Sequence, residues 1–221
     1  MHWRIEPSPA RGMRFSSAEI SQILLALGAL TLAFTIAQIG GISFVGGPGD
    51  AEYIGFVALA SFVAVVTAFL LHELAHKAVA LRYGCYAEFR AYPMGLLLGI
   101  LTAAFGFLFA APGAVMISGP VSPRQNARIS AAGPGTNFAI AAAFLGLAAL
   151  IGMTSGRVAD FASRLIASVG FVNLFLGGFN MVPFPPLDGS KILAYNKPLW
   201  AGMVVVLVAL AYLGWRLGLF F

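Results

Sequence analysis

Residues 67 to 84, TAFLLHELAHKAVALRYG, place two histidines and a glutamate inside an otherwise apolar run. If this run is a helix, His72 and His76 lie on one face, because residues i and i+4 are neighbours there. Two imidazole nitrogens placed in this way can bind one zinc ion, with bonds of about 2.0–2.1 Å. Glu73 then projects to the side, where its carboxylate can take a proton from a water molecule that the zinc activates. The spacing therefore predicts a hydrolytic zinc site.

A purely structural role for these residues is the alternative. Both histidines would then be hydrogen-bonded packing residues, and Glu73 would pair with Lys77 at i+4. Against this, ionisable groups inside membrane segments are functional by default. The chain also has only three histidines, and the third, His2, lies at the terminus. The metal site is therefore the better interpretation.

The composition indicates a membrane protein. Hydrophobic residues make up 60% of the 221 residues and charged residues 10%, whereas soluble domains are about a quarter charged. The mean hydropathy is +0.90. The net charge of +5 does not indicate nucleic acid, because the basic residues are spread along connecting segments. A single cysteine, Cys85, excludes an internal disulfide and a cysteine-based zinc cage. We expect a multi-pass protein of the cell membrane that has the lipid bilayer as a partner and does not bind nucleic acid.

Five apolar stretches are long enough to cross a bilayer, which takes about 20 residues. They lie at about residues 18–40, 54–83, 128–152, 162–182 and 198–219. A sixth stretch, 93–118, is interrupted by glycines and a proline, so it is one span, a re-entrant hairpin, or a short span followed by a strand. The predicted fold is an all-α polytopic membrane protein with about six transmembrane helices. A short re-entrant or β-like element would lie between the second helix and the helix at 128–152.

The distribution of Lys and Arg orients these helices across the membrane. Three arginines precede the first helix and predict a cytoplasmic N-terminus. Basic residues also follow the second helix and precede the helix at 128–152, so the stretch 93–118 must cross an even number of times or not fully cross. The histidine motif lies towards the end of the second helix, which begins outside, and Asp188 follows a helix that also begins outside. Both are therefore predicted in one layer, towards the cytoplasmic side.

A catalytic zinc site needs three protein ligands and one open position. Since His2 is remote, the third ligand is expected among the eight acidic residues. Glu88 lies on the expected side, but in a segment that looks exposed. Asp188 remains, in the stretch NMVPFPPLDGSKI, where prolines prevent a regular helix; the alternative is that Asp188 and Gly189 form an ordinary turn. The acidic residues predicted to lie in the terminus or in distant loops are Glu6, Glu19, Asp50, Glu52 and Asp160.

Three stretches resemble the site-2 protease family of intramembrane zinc metalloproteases, in its prokaryotic six-helix form. They are HELAH at 72–76, AGPGTN at 132–137 and NMVPFPPLDG at 180–189. The last is the more specific, because it matches the family's N-x-x-P-x-P-x-L-D-G pattern. With the helices that bear them, they cover about residues 54–190, the expected core of a single integral membrane metalloprotease domain over 1–221.

The resemblance implies a zinc metalloendopeptidase that hydrolyses a peptide bond within the transmembrane helix of a protein substrate, in regulated intramembrane proteolysis. His72, His76 and Asp188 would bind one Zn²⁺ per chain, and Glu73 would be the catalytic base. Asn137 would contact the oxyanion or the substrate backbone; its alternative role is that of a capping or turn residue. Support of the site is expected from four residues of the last motif, Asn180, Pro183, Pro185 and Gly189.

A substrate helix must unwind before cleavage, because its carbonyl groups are held in i to i−4 hydrogen bonds. The stretch EFRAYPMG, residues 88–95, is expected to present a strand edge that holds the unwound substrate by β-addition. Two other functions use the same ligands, a metal-ion transporter and a catalytically inactive membrane scaffold. Transporters usually carry more intramembrane acids, and inactive relatives tend to lack the base or a ligand. Cobalt or iron would accept the same ligand set.

Overall fold

The computed structural model describes residues 12–41 and 50–220. Within them, five helices are long and apolar enough to cross a membrane, and they confirm the five predicted spans. The protein is a polytopic, mostly helical membrane protein. His2, Glu6 and two of the arginines that predicted the orientation, Arg4 and Arg11, lie outside the described residues. The five helices are Ser17–Gln38 (α1), Asp50–Arg82, Pro123–Gly152 (α5), Arg157–Asn180 (α6) and Lys197–Arg216 (α8).

The second span is not a uniform α-helix. It begins as α2 (Asp50–Val65), widens into a π-helical turn (Val66–Leu70) and continues as α3 (Leu71–Arg82). A π turn inserts an extra residue per turn and is frequent at functional sites. Here it comes directly before the two histidines, at the start of α3.

Polar side chains mark where several helices begin. The first N–H groups of a helix have no partner within it, so a neighbouring side chain accepts from them. The Ser16 hydroxyl accepts from the backbone N–H of Glu19 at 3.0 Å. Ser122 and Gln125 form a reciprocal capping box before α5, which is a local sequence signal for a helix start. The side chain of Asn196 accepts from the backbone N–H of Leu199 at the start of α8.

The stretch 93–118 is a hairpin that consists of a helix and a returning extended segment. Its helix, α4 (Pro93–Ala104), has 12 residues, fewer than a full span needs. α4 packs along α1 as far as the C-terminal end of α1, where a Cβ atom on Gly41 would lie 2.3 Å from the Ala104 carbonyl oxygen. The helix of the sixth apolar stretch is therefore shorter than a spanning helix, because it ends just before Gly106, which has a positive φ of 83°.

The returning segment runs back along α4. A Cβ atom on Gly95 would lie 2.1 Å from the Ala111 carbonyl oxygen, so only glycine permits this close approach. The backbone N–H of Tyr92 donates to the carbonyl of Pro112 at 3.0 Å. The hairpin therefore begins and ends at the same level, as expected for a stretch that crosses an even number of times or does not fully cross.

Two strands flank this hairpin. β1 (Tyr86–Ala91) pairs antiparallel with β2 (Gly113–Ser118), and Phe89 lies opposite Val115. The N–H of Phe89 points away from β2, to the Glu19 carboxylate at 2.9 Å. Alternate residues of an antiparallel strand point their N–H groups outward in this way.

The outer edge of β1 is covered by α1. Besides the contact at Phe89, the N–H of Ala91 donates to the Gln22 side chain at 2.9 Å. The prediction that residues 88–95 offer a free edge for β-addition is therefore wrong: the strand ends at Ala91, and side chains of α1 occupy the outward N–H groups of Phe89 and Ala91. The outer edge of β2 faces α3 instead.

Candidate metal centre

Three ligand-type side chains meet where α3 and α7 (Asp188–Tyr195) approach each other. The Nε2 atoms of His72 and His76 are 3.0 Å apart. The Oδ2 atom of Asp188 lies 3.4 Å from Nε2 of His72 and 3.0 Å from Nε2 of His76. All three residues are buried. The structure thus brings together residues more than 100 positions apart in the sequence.

Both histidines are held by hydrogen bonds to their other ring nitrogen. Nδ1 of His76 donates to the carbonyl of Ile129 at 2.7 Å. Nδ1 of His72 lies 3.3 Å from Oδ1 of Asn137, and the Asn137 amide nitrogen donates to the carbonyl of Ala68 at 3.1 Å. A partner on Nδ1 fixes the tautomer and leaves the Nε2 lone pair for a metal. Both Nε2 lone pairs therefore point to the place that Asp188 also faces.

Irregularities in two helices supply these partners. Ala68 belongs to the π-helical turn, where the widened backbone frees carbonyl groups from their usual partners. In α5, Pro134 has no N–H to offer the carbonyl of Ser130, and its ring crowds that carbonyl. Ile129 directly precedes Ser130 in α5. Each histidine is thus oriented from within, or next to, an interruption of the regular hydrogen-bond pattern.

Gly133 leaves open the space beside the two lone pairs. A Cβ atom at this position would lie 2.4 Å from Nε2 of His76 and 2.5 Å from Nε2 of His72. Any larger residue would fill the place that faces both nitrogens. The glycine of the AGPGTN stretch therefore has a steric role in the site.

The geometry and the donor types suit zinc. Ligand atoms of a tetrahedral zinc ion with bonds of 2.0–2.1 Å lie roughly 3.3 Å apart. The three separations here are 3.0, 3.0 and 3.4 Å. Two imidazoles and one carboxylate form a ligand set typical of catalytic zinc sites, with a fourth position for water or substrate. The residues present fit the metal.

Asp188 is held in place by the turn that precedes it. α6 ends at Asn180, and the proline-rich residues up to Leu187 form no regular helix before α7 begins. A Cβ atom on Gly189 would lie 2.2 Å from the carbonyl oxygen of Met181, so the turn folds tightly against the start of α7. The indole N–H of Trp200 donates to the same carbonyl at 2.9 Å. Gly189 thus supports the position of its neighbour Asp188.

The other motif residues differ in their surroundings. Pro183 and Pro185 are exposed. The side-chain amide of Asn180 donates to the carbonyl of Leu176, one turn back in α6, at 3.0 Å. Asn137 is fully buried and contacts His72. Its place in the structure is that of a residue orienting a histidine.

Glu73 lies between the histidines and the sheet. Its Oε2 atom accepts a hydrogen bond from the backbone N–H of Val115 in β2 at 3.0 Å. The purely structural alternative required Glu73 to pair with Lys77, and the two side chains do not pair. The ammonium group of Lys77 instead contacts the Glu19 carboxylate at 2.5 and 2.6 Å.

Glu19 and Glu88 both differ from expectation. Glu19 is not in a distant segment; it is 1% exposed in α1 and next to the site. Glu88 is also buried rather than exposed, at 6%. Hydrogen bonds from the hydroxyls of Ser16 and Tyr86 hold the pKa of the Glu88 carboxyl below its usual value. Glu88 is thus occupied by other partners, and Asp188 is the carboxylate that joins the histidines.

The fold and the site define a multi-pass helical membrane protein with a buried His-His-Asp centre. Residues 145–205 match the model of peptidase family M50. A protein of Methanocaldococcus jannaschii, named as a candidate zinc metalloprotease, is 37% identical over 94% of this chain and 97% of its own length. The chain belongs to peptidase family M50, the site-2 protease family.

Two further relatives are longer than this chain. A Mycobacterium tuberculosis protein, also named as a candidate zinc metalloprotease, is 32% identical over 67% of this chain and 37% of its own length. A second Methanocaldococcus jannaschii protein, named as a zinc metalloprotease, is 31% identical over 60% of this chain and 32% of its own length. No solved structure matches the chain.

Proposed function

We propose that the protein is an intramembrane zinc metalloprotease, which hydrolyses a peptide bond within the transmembrane helix of a protein substrate. The observation that carries the proposal is the convergence of His72, His76 and Asp188 among apolar helices, at separations that suit one zinc ion. Membership of a peptidase family and the names of the relatives support the same chemistry. The whole chain, 1–221, would form one domain, with its catalytic core at about 54–190.

Glu73 is the proposed general base. Zinc bound by the two histidines and Asp188 would polarise the scissile carbonyl and make a water molecule acidic enough to attack it. The Glu73 carboxylate takes the proton of the attacking water and passes it to the leaving amine. The N–H of Val115 holds one carboxylate oxygen, which orients the group for both transfers.

The unwound substrate would add to the outer edge of β2, past the N–H of Val115 that Glu73 occupies. Ile117, two residues on, directs its N–H to the same side because the pattern alternates. A peptide that pairs with this edge would lie extended beside Glu73. Backbone pairing of this kind supplies affinity without demanding one sequence.

Basic residues close to the metal centre support a proposal for the side of the membrane on which it lies. Lys77, next to His76, contacts the carbonyl of Arg14, and Lys191 lies 3.8 Å from Asp188. Basic residues that flank membrane helices mark the cytoplasmic side. We therefore propose a cytoplasmic N-terminus and an active site towards the cytoplasmic face.

The test combines metal content with cleavage in proteoliposomes that contain a model single-span substrate. The wild type should carry about one zinc per chain and cut within the span, as mapped by mass spectrometry. Asp188→Ala should lose both zinc and cleavage. Zinc movement across the membrane without cutting would instead indicate a transporter, and neither activity would indicate a scaffold. A wild type that holds no zinc would overturn the proposal.

Asn137→Ala should weaken zinc binding roughly 10- to 100-fold, as the loss of a residue that orients a metal-bound histidine does. Asn180→Ala is the matched control, because that side-chain amide donates its hydrogen bond within its own helix, to the carbonyl of Leu176. Competition with a chromophoric chelator measures both affinities. Equal affinities in the two variants would show that Asn137 does not orient His72.

A further inference from the structure

A buried ion pair joins α1 to α3 one turn from the proposed base. Lys77 and Glu19 are each 1% exposed. The ammonium group contacts both Glu19 carboxylate oxygens and the carbonyl of Arg14 at 2.7 Å, and it lies 4.2 Å from the centre of the Phe15 ring. Burying two charges is costly, and such a pair is weak evidence for stability alone. Stability alone therefore does not account for the pair.

Lys77 is also placed to reach Glu73. The two residues are four apart on α3, the spacing at which glutamate and lysine side chains normally pair. Glu73, Lys77 and Glu19 line one small internal space, together with Val115. Yet in the part of the chain that the structure describes, every ion pair of Lys77 is with Glu19, and none involves Glu73.

We propose that Glu19 is a positioning residue that holds Lys77 away from Glu73. The Glu73 carboxylate can then accept hydrogen bonds from the N–H of Val115 and from the attacking water. This inference rests on the proposed function for the role of Glu73. Without the Glu19 carboxylate, Lys77 would turn to the remaining carboxylate in the same space, and the base would be engaged by a cation.

Glu19 also fixes the sheet relative to the site. One of its oxygens accepts the N–H of Phe89, which lies opposite Val115 in the sheet. The two outward N–H groups of this residue pair are thus held by two carboxylates, Glu19 at β1 and Glu73 at β2. Lys77 contacts only the first of these two carboxylates.

Three variants separate this role from a merely structural one: Glu19→Gln, Lys77→Met and the double variant. The glutamine side chain introduced by Glu19→Gln carries no charge but can still accept the N–H of Phe89, so the strand contact is retained. We expect Glu19→Gln to lower kcat at least about tenfold, since a general base contributes roughly 10²–10⁴-fold. Lys77→Met should keep kcat close to wild type, because Glu73 stays free. The double variant should recover the activity that Glu19→Gln loses.

All rates are expressed per zinc-loaded chain, with thermal stability measured in parallel. A purely structural role predicts similar losses of activity in both single variants, because each variant leaves one buried charge without its counter-charge. The proposal would be overturned if both single variants lost activity in proportion to their loss of thermal stability. It would also be overturned if the double variant did not recover activity.

A readout independent of proteolysis is the position of the Lys77 ammonium group in a structure of Glu19→Gln. We expect it at the Glu73 carboxylate; if it stays at Arg14, the proposal is wrong. Failure of the wild type to cut any substrate would contradict the proposed function, while this position would still decide the role of Glu19.

Discussion

Glu73→Gln should reduce peptide-bond cleavage by roughly 10²–10⁴-fold, the usual contribution of a general base, while zinc content stays at the wild-type level. Glutamine has nearly the same shape and can still accept the N–H of Val115, so the contact with β2 is retained. What it lacks is the capacity to take up the proton of the attacking water. Single-turnover cleavage of a transmembrane substrate, with metal analysis of the same preparation, measures both quantities.

Glu88→Gln is the matched control for this variant. Glu88 is also a buried glutamate at the sheet, but its carboxylate is bound by Tyr86 at 2.6 Å and Arg90 at 2.7 Å, not directed at the metal centre. Its replacement should affect stability more than the rate per folded chain. If Glu73→Gln retained most of the wild-type rate, or if both variants lost it equally, Glu73 would not be the base.

Gly133→Ala should abolish both zinc binding and cleavage. The added Cβ atom would lie 2.4 and 2.5 Å from the two histidine Nε2 atoms, where it would block the side from which a metal faces them. The neighbouring backbone of α5 cannot easily move away from the site, because the carbonyl of Ile129 accepts a hydrogen bond from His76. Zinc content after purification, followed by titration with added zinc, measures the effect.

Gly135→Ala is the control for the steric argument. A Cβ atom at Gly135 meets nothing within 4 Å, although it lies on the same helix two residues away. Alanine stabilises a helix interior by about 1 kcal/mol relative to glycine, so neither substitution should unfold α5. Zinc and activity should therefore persist in Gly135→Ala. Full zinc occupancy in Gly133→Ala would mean that the metal lies elsewhere.

The sequence alone determined the membrane spans and the histidine pair. A spanning helix needs an uninterrupted apolar length, which is a local property, so five helices were predictable within a few residues. The faces of a helix likewise follow from its period, which placed His72 and His76 together. The capping box before α5 is a local signal of the same kind. Asp188 was selected among only eight acidic residues, although two of the residues set aside, Glu19 and Glu88, are buried near the site.

Only the tertiary structure decided which partners the polar groups have. The local rule paired Glu73 with Lys77, but Lys77 contacts Glu19, 58 residues away. Glu19 is 1% exposed, whereas Glu73 is only partly buried, so leaving Glu19 without a cation is the costlier arrangement. The packing of α1 against α3 therefore prevails over the local spacing.

The strand edge and the π-helical turn depend on packing in the same way. Residues 86–91 form a strand as their pattern suggests, but whether its edge is free depends on Gln22 and Glu19 of α1. The π turn before His72 has no marker in the sequence and supplies the carbonyl that holds Asn137. Periodicity specifies which face of an element a residue occupies; the element that packs against this face specifies what the residue can do.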